Sequence, residues 1–160
     1  VQSTGGVPII ATERLAWKAN GAYSSITEMM GLPANQLRDS YVFAWYNNAT
    51  MDTQLRIGNV GIADTYVTVT IGKTAYGPYL IRPNEGIRPS YFGVNNGPVK
   101  VQSTGGVPII ATERLAWKVN GTYNSITEMM GLPSNQLTDS YVFAWYNNAT
   151  MGTELRIGVP

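Results

Sequence analysis

Thr65-Tyr66-Val67-Thr68-Val69-Thr70-Ile71 is the stretch that decides the fold class. From Tyr66 onward every residue is β-branched or aromatic, and threonine returns at every second position on one face. Side chains of this kind lose little freedom on a pleated surface and pack well there, so the run reads as a strand with one polar and one apolar side. Turn chemistry ends it at Gly72-Lys73.

Working outward from 65–71, the same alternation and the same separators recur. Strands are predicted at 41–46, 53–58, 79–82, 87–92, 99–103 and 107–118. Gln54-Leu55-Arg56-Ile57 alternates polar and apolar as a half-buried strand does. Asn47-Asn48, Gly77-Pro78, Pro83-Asn84-Glu85-Gly86 and Asn95-Asn96-Gly97-Pro98 separate the runs. Seven short strands at this spacing predict an all-β, antiparallel, Ig-like or fibronectin-type β-sandwich. One stretch reads differently. In 20–39, Ser25-Ile26-Thr27-Glu28 fits a helix capping box and Gly31 a helix stop, so a turn or two of helix is expected, serving as a link between units or a crossover.

The chain also repeats itself. Residues 1–58 recur as 101–158 with seven differences: Ala19/Val119, Ala22/Thr122, Ser24/Asn124, Ala34/Ser134, Arg38/Thr138, Asp52/Gly152 and Gln54/Glu154. The period is 100 residues, long enough for each unit to be a small domain, unlike the short units of a solenoid. The expected division is a partial unit with its link at 1–38, a complete unit of about seven strands at 39–138, and the first strands of the next unit at 139–160. A frame of 1–100 is the other legitimate choice. On this reading the 160 residues are a cut from a longer tandem array.

Composition narrows the chemistry. With no Cys there is no disulfide framework, thiolate nucleophile or Cys metal site, and with no His no imidazole base or Ser-His-Asp triad. The ten acidic residues are scattered singly, so no catalytic residues, cofactor or enzyme activity are read. A net charge of +1 with 13% charged residues offers little attraction to phosphate, so nucleic acid is not an expected partner. No leader sequence and no membrane-length apolar run is seen.

Several residues invite a specific role. Glu13-Arg14 and Glu113-Arg114 read first as solvent-facing or edge pairs, and second as charges at a contact between units. Lys18 and Lys118 raise the idea of a Lys-Asn or Lys-Asp cross-link, which needs a buried, neutral lysine. Asn48, Asn120 and Asn148 begin N-x-[ST] triplets, a weak glycosylation pattern for which an Asn-rich turn is the favoured reading. Trp17, Trp45, Tyr46, Tyr91 and Phe92 could form a platform for a sugar, with core packing favoured. Asp39, Asp52, Asp64 and Asn84 are candidate Ca²⁺ ligands at a junction, although no EF-hand-type loop is present, and no metal site is assigned.

The stretches SYVFAWYNNATMDTQLRIGNVG, YVTVTIG, SYFGVNNGPVKVQSTGGVPIIATERLAWK and SITEMMGLP resemble the ~100-residue tandem repeats of large exported or surface proteins of filamentous Chloroflexus-type bacteria. The resemblance covers essentially the whole chain. It implies a place outside the cell, in an extended or fibrous assembly, and brings no catalytic residues with it. The expected function is therefore a structural repeat module of an extracellular fibre, stalk or matrix, a homo-oligomer or filament. Its partial units would pair head to tail through Val7, Ile9, Ile10 and Trp17 of one chain and Tyr141, Phe143, Trp145, Leu155 and Ile157 of another. The alternative is a repeated adhesive or carbohydrate-binding module with a glycan as partner.

Overall fold

The structure, a computed structural model, describes residues 1–160. It is all-β, with thirteen strands, three short 3₁₀ turns and no α-helix, so no helix is long and apolar enough to cross a membrane. The strands are β1 (Thr12–Ala19), β2 (Ala22–Met30), β3 (Ser40–Phe43), β4 (Tyr46–Asn47), β5 (Asp52–Asn59), β6 (Thr65–Ile71) and β7 (Thr74–Ile81). They continue as β8 (Gly86–Ile87), β9 (Asn95–Asn96), β10 (Val99–Ser103), β11 (Ile109–Val119), β12 (Thr122–Met130) and β13 (Leu132–Pro133).

Two antiparallel sheets form a sandwich, one ordered β13-β3-β10-β6-β7 and the other β12-β11-β5-β8. Alternation supplies the core. In β5, Thr53, Leu55, Ile57 and Asn59 point inward and are buried, while the residues between them are half-exposed. In β6 the valines and Ile71 face in, and in β10 Val99 and Val101 do. Each strand thus presents its apolar face to the other sheet, as expected of an antiparallel sheet with one wet side.

The predicted helix in 20–39 is a strand instead. Asn20 and Gly21 sit at φ 51° and 82°, and Asn120 and Gly121 at 51° and 79°. Two consecutive left-handed residues make the tight turn that joins antiparallel strands, and Asn-Gly is the pair best suited to it. The turn folds Ala22–Met30 back onto Thr12–Ala19, pairing Glu13 with Met29 and Leu15 with Thr27. The second copy does the same with β11 and β12. The backbone donors that a capping box would serve are used in the hairpin, and the capping-box match carries no structure.

Two further corrections concern residues 39–138. The run 41–46 is broken between β3 and β4, because Gly97 passes so close to the Ala44 carbonyl that a Cβ there would lie 2.5 Å from its oxygen. Of 87–92 only Ile87 is paired. Pro89 has no amide hydrogen for a ladder, and its carbonyl accepts from Leu55 N–H at 3.0 Å instead.

The first hairpin, β1–β2, belongs to neither sheet. It lies as a third layer on the outer face of β12-β11-β5-β8, and Glu13, Met29, Arg56, Thr112 and Glu128 line the cleft of about 450 Å³ between them. The Ser25 hydroxyl accepts from Ile126 N–H at 2.9 Å and donates to Ile126 C=O at 3.3 Å. Trp17 meets Tyr123 edge-on at 4.7 Å, and Gln136 donates to Gln36 at 3.2 Å. At the other end, 139–160 contains no strand.

Candidate assembly surface

Repeat identity allows a direct comparison of the same side chain in a covered and an uncovered setting. Tyr41, Phe43, Leu55 and Ile57 are 0, 4, 0 and 2% exposed, whereas Tyr141, Phe143, Leu155 and Ile157 are 54, 69, 58 and 85% exposed. Ile109 is fully buried, and its counterpart Ile9 is 56% exposed. Val7, Ile10 and Trp145 are exposed too, and Trp17 is half-buried under Tyr123. The proposed assembly residues are thus apolar, and all except Trp17 lie largely uncovered.

The backbone tells the same story. β11 is paired on both sides, by β12 and by β5, while β1 is paired only by β2. The side of β1 that corresponds to the β5 side of β11 carries no strand. β5 has a sequence copy at 152–158 that is likewise unpaired.

Charged groups separate the two copies. Glu113, expected at a solvent-facing position, is 2% exposed inside the sandwich, and its Oε1 has no hydrogen-bond partner. Burial pushes its pKa up to about 8, against the pull of the Arg156 charge. It lies on the inward face with Ala111 because β5 and the opposite sheet cover that face; Glu13, without that cover, stays exposed. Glu128 is buried on the outer face under the first hairpin, where it accepts from Thr112 Oγ1 at 2.8 Å and faces Arg56 at 3.5 Å. The counterpart Glu28 pairs with Arg14 in the open at 2.5 Å.

Lys118 is paired with Asp52 at 2.9 Å, and Tyr123 donates to the same carboxylate at 2.5 Å. The Tyr123 bond and then Lys118 hold the Asp52 carboxyl below its ordinary value, and the Asp52 bond holds the lysine above its own. Lys118 is therefore a solvated ammonium rather than the buried neutral amine that cross-link chemistry needs. Lys18 lies over the Tyr23 ring at 4.7 Å.

The other sequence candidates separate as follows. Asn48 is buried, with its amide donating to Ser90 and its oxygen accepting from Thr53 N–H, so the folded unit leaves it no room for a glycan. Asn120 lies in the exposed hairpin turn, and Asn148 is exposed. Tyr46 and Tyr91 are core residues, and Trp45 donates to Asn95 at 2.7 Å, which leaves Phe92 as the fully presented ring of the supposed platform. Asp39, Asp52 and Asp64 do not come together as a carboxylate cluster. What the sequence reading missed is the Asn-Gly hairpin and its docking face; the Asn20-Gly21 and Asn120-Gly121 pairs were the available signal.

No protein-family model and no curated protein matches the chain. The crystal structure of Thermotoga maritima 1070 superposes on 59% of this chain and 92% of its own, with a TM-score of 0.47 and 13% sequence identity.

Proposed function

We propose that this chain is a structural repeat module of an extracellular or cell-surface fibre, stalk or matrix protein, joined head to tail by strand complementation between partial units. One observation carries the proposal: side chains buried in the complete unit are exposed where the unit is partial. Transferring the register of β5 on β11 places Ile157 of one chain opposite Ala11 of the next, Leu155 opposite Glu13 and Glu154 opposite Arg14. The Gln54/Glu154 difference thus puts an opposite charge across from Arg14, while the Asp52/Gly152 difference leaves Lys18 without the partner that Lys118 has. In an array where 59–100 recurs, every joint closes as a whole sandwich. Between two molecules of these 160 residues the joint is a sheet-edge pairing, because 59–100 is present in one copy only in each. The extracellular placement rests on the resemblance to exported arrays.

The test is light scattering with negative-stain imaging over a concentration series. A ladder of oligomers or fibres is expected. Ile157→Lys removes one buried apolar side chain, about 2–3 kcal/mol or roughly 30–150-fold in Kd, and moves the ladder to higher concentration. A compact 17.4 kDa monomer at every concentration refutes the proposal. The second reading, an adhesive or sugar-binding module, has exposed Phe92 and Trp117 in its favour, and a glycan screen on the Ile157→Lys chain tests it free of assembly.

A further inference from the structure

The C-terminal segment is more than an uncovered copy: its loop at 146–153 already has the shape of the loop it duplicates. In the complete unit, Asn47 Nδ2 donates to Thr50 Oγ1 at 2.8 Å, and Asn47 Oδ1 accepts from Ala49 and Thr50 N–H at 3.1 and 3.2 Å. In the tail, Asn147 makes the same three bonds at 2.8, 3.0 and 3.2 Å. Thr53 N–H reaches Asn48 at 3.2 Å, and Thr153 N–H reaches Asn148 at 3.0 Å. Tyr46 donates to Thr53 C=O at 2.9 Å, and Tyr146 to Thr153 C=O at 3.1 Å. Tyr41 accepts from Arg38 N–H, and Tyr141 from Thr138 N–H, both at 3.3 Å. The local geometry of the loop that joins β4 to β5 therefore forms without any sheet around it.

The tail also lies beside the place it would take. Leu155 and Ile157 share an apolar hollow with Val42, Phe43 and Leu132. A Cβ on Gly158 would sit 2.7 Å from Pro98 Cβ and 3.3 Å from the Ala44 oxygen. In the chain, 134–140 connects β13 to the tail, a loop long enough for the tail to fold back antiparallel on β13. The register of β3 on β13 then pairs Val142 with Leu132 and Tyr141 with Pro133.

We propose that the slot filled by β3–β5 is an exchangeable receptor groove for strands of its own repeat, which residues 139–158 of the same chain or of a second copy enter by displacing 39–58. The loop is pre-organised, so the incoming segment loses less freedom on docking than an unstructured one. Two positions differ between resident and challenger, and a third, Arg38/Thr138, lies immediately before them. Asp52 holds Lys118 and Tyr123, and Gly152 holds neither. Arg38 donates to the Asn35 and Leu37 carbonyls, which Thr138 does not replace. Glu154 would instead stand opposite Arg114, whose Nε lacks a partner with Gln54. The Asp52 contacts keep the resident in place, while the Arg38 bonds stay within its own turn. Exchange differs from the head-to-tail joint proposed above and does not rest on it, because its acceptor is the complete unit rather than the N-terminal partial one.

Disulfide trapping in the full chain tests this directly, since the protein has no cysteine of its own. Leu132→Cys with Val42→Cys marks the resident strand, and Leu132→Cys with Val142→Cys marks the exchanged one. Leu32→Cys with Val142→Cys, seen between chains, marks the head-to-tail joint. The 132–142 bridge is expected, within a chain at low concentration and between chains at high concentration. Combining Asp52→Gly with Gly152→Asp moves the lysine and tyrosine contacts to the tail, and is expected to raise the exchanged-to-resident ratio about tenfold. Hydrogen-exchange mass spectrometry reads the same ratio without cysteines, because peptides from the two copies differ in mass at 52/152. Failure of 132–142 to form in both backgrounds while 132–42 forms, with the tail unprotected in both, overturns the proposal. A 32–142 bridge alone would leave the head-to-tail joint standing and the exchange refuted.

Discussion

Replacing Glu113 by glutamine separates a buried carboxyl from everything else that titrates near neutrality. The side chain is 2% exposed, has an unpartnered oxygen, and keeps its proton to about pH 8 against an ordinary value of 4.5. Because the folded pKa lies above the unfolded one, the unfolded chain gives up the proton first. The Glu113 contribution to stability is then complete below pH 4.5 and is lost as the pH rises toward 8. At 1.36 kcal/mol per pH unit the full effect is about 5 kcal/mol, of which roughly 3–4 kcal/mol falls between pH 5 and pH 8. Without histidine or cysteine, only the α-amino group shares this window, and it is common to both proteins. Urea unfolding at pH 5, 6, 7 and 8 is the assay. Wild type should lose that amount over the series, whereas Glu113→Gln should stay nearly level and overtake wild type by pH 8, with a melting temperature roughly 10 °C higher there. Parallel stability curves for the two proteins would refute burial of an unpaired carboxyl in the sandwich.

Asp52→Asn weakens the bonds to Tyr123 and Lys118 and should cost about 1 kcal/mol at pH 7, a small figure because the pair is partly solvated. Asp52 is held below its ordinary 3.8, so this contribution is complete above that pH and disappears in acid; denaturation at pH 7 and pH 2 should show the variant's deficit shrinking. Gly121→Val places a β-branched residue at φ 79°, and calorimetry should find a loss of at least about 1–2 kcal/mol. Trp17→Ala strips the edge contact to Tyr123 and should free the first hairpin, seen as faster proteolysis within 31–39 with the sandwich still folded. Gly152→Asp gives Lys18 an acceptor in the head-to-tail register and should move assembly to lower concentration in light scattering.

The all-β sandwich was legible because its central strands carry local signals that tertiary structure has no reason to override. β6 and β10 lie at the expected residues, 65–71 and 99–103. The hairpin was legible too, in Asn20-Gly21, but a capping-box pattern on its second strand competed with it, and such a pattern has meaning only once a helix exists. Burial was a different matter. Glu13 and Glu113 stand in the same local sequence, as do Ile57 and Ile157, yet one of each pair is buried and the other exposed. What decides is whether the partner strand, β5 for Glu113 and β11 for Ile57, and the opposite sheet are present, information that lies dozens of residues away. For a near-perfect repeat, local sequence specifies the face a side chain takes in a strand but not which copy acquires a partner.

The loop between Tyr46 and Thr53 has a set of closing bonds that span seven residues or fewer, and the chain carries that set twice. Closures this short take on the order of 10–100 ns, far sooner than any long-range strand pairing. Refolding therefore begins from two equivalent seeds flanking the same central strands. The seed that first captures β10 and β11 sets the early population, and the final stabilities of the two arrangements matter only later. Diluted from denaturant, the protein should divide into two parallel tracks of comparable speed, then drift slowly to one outcome by partial unfolding.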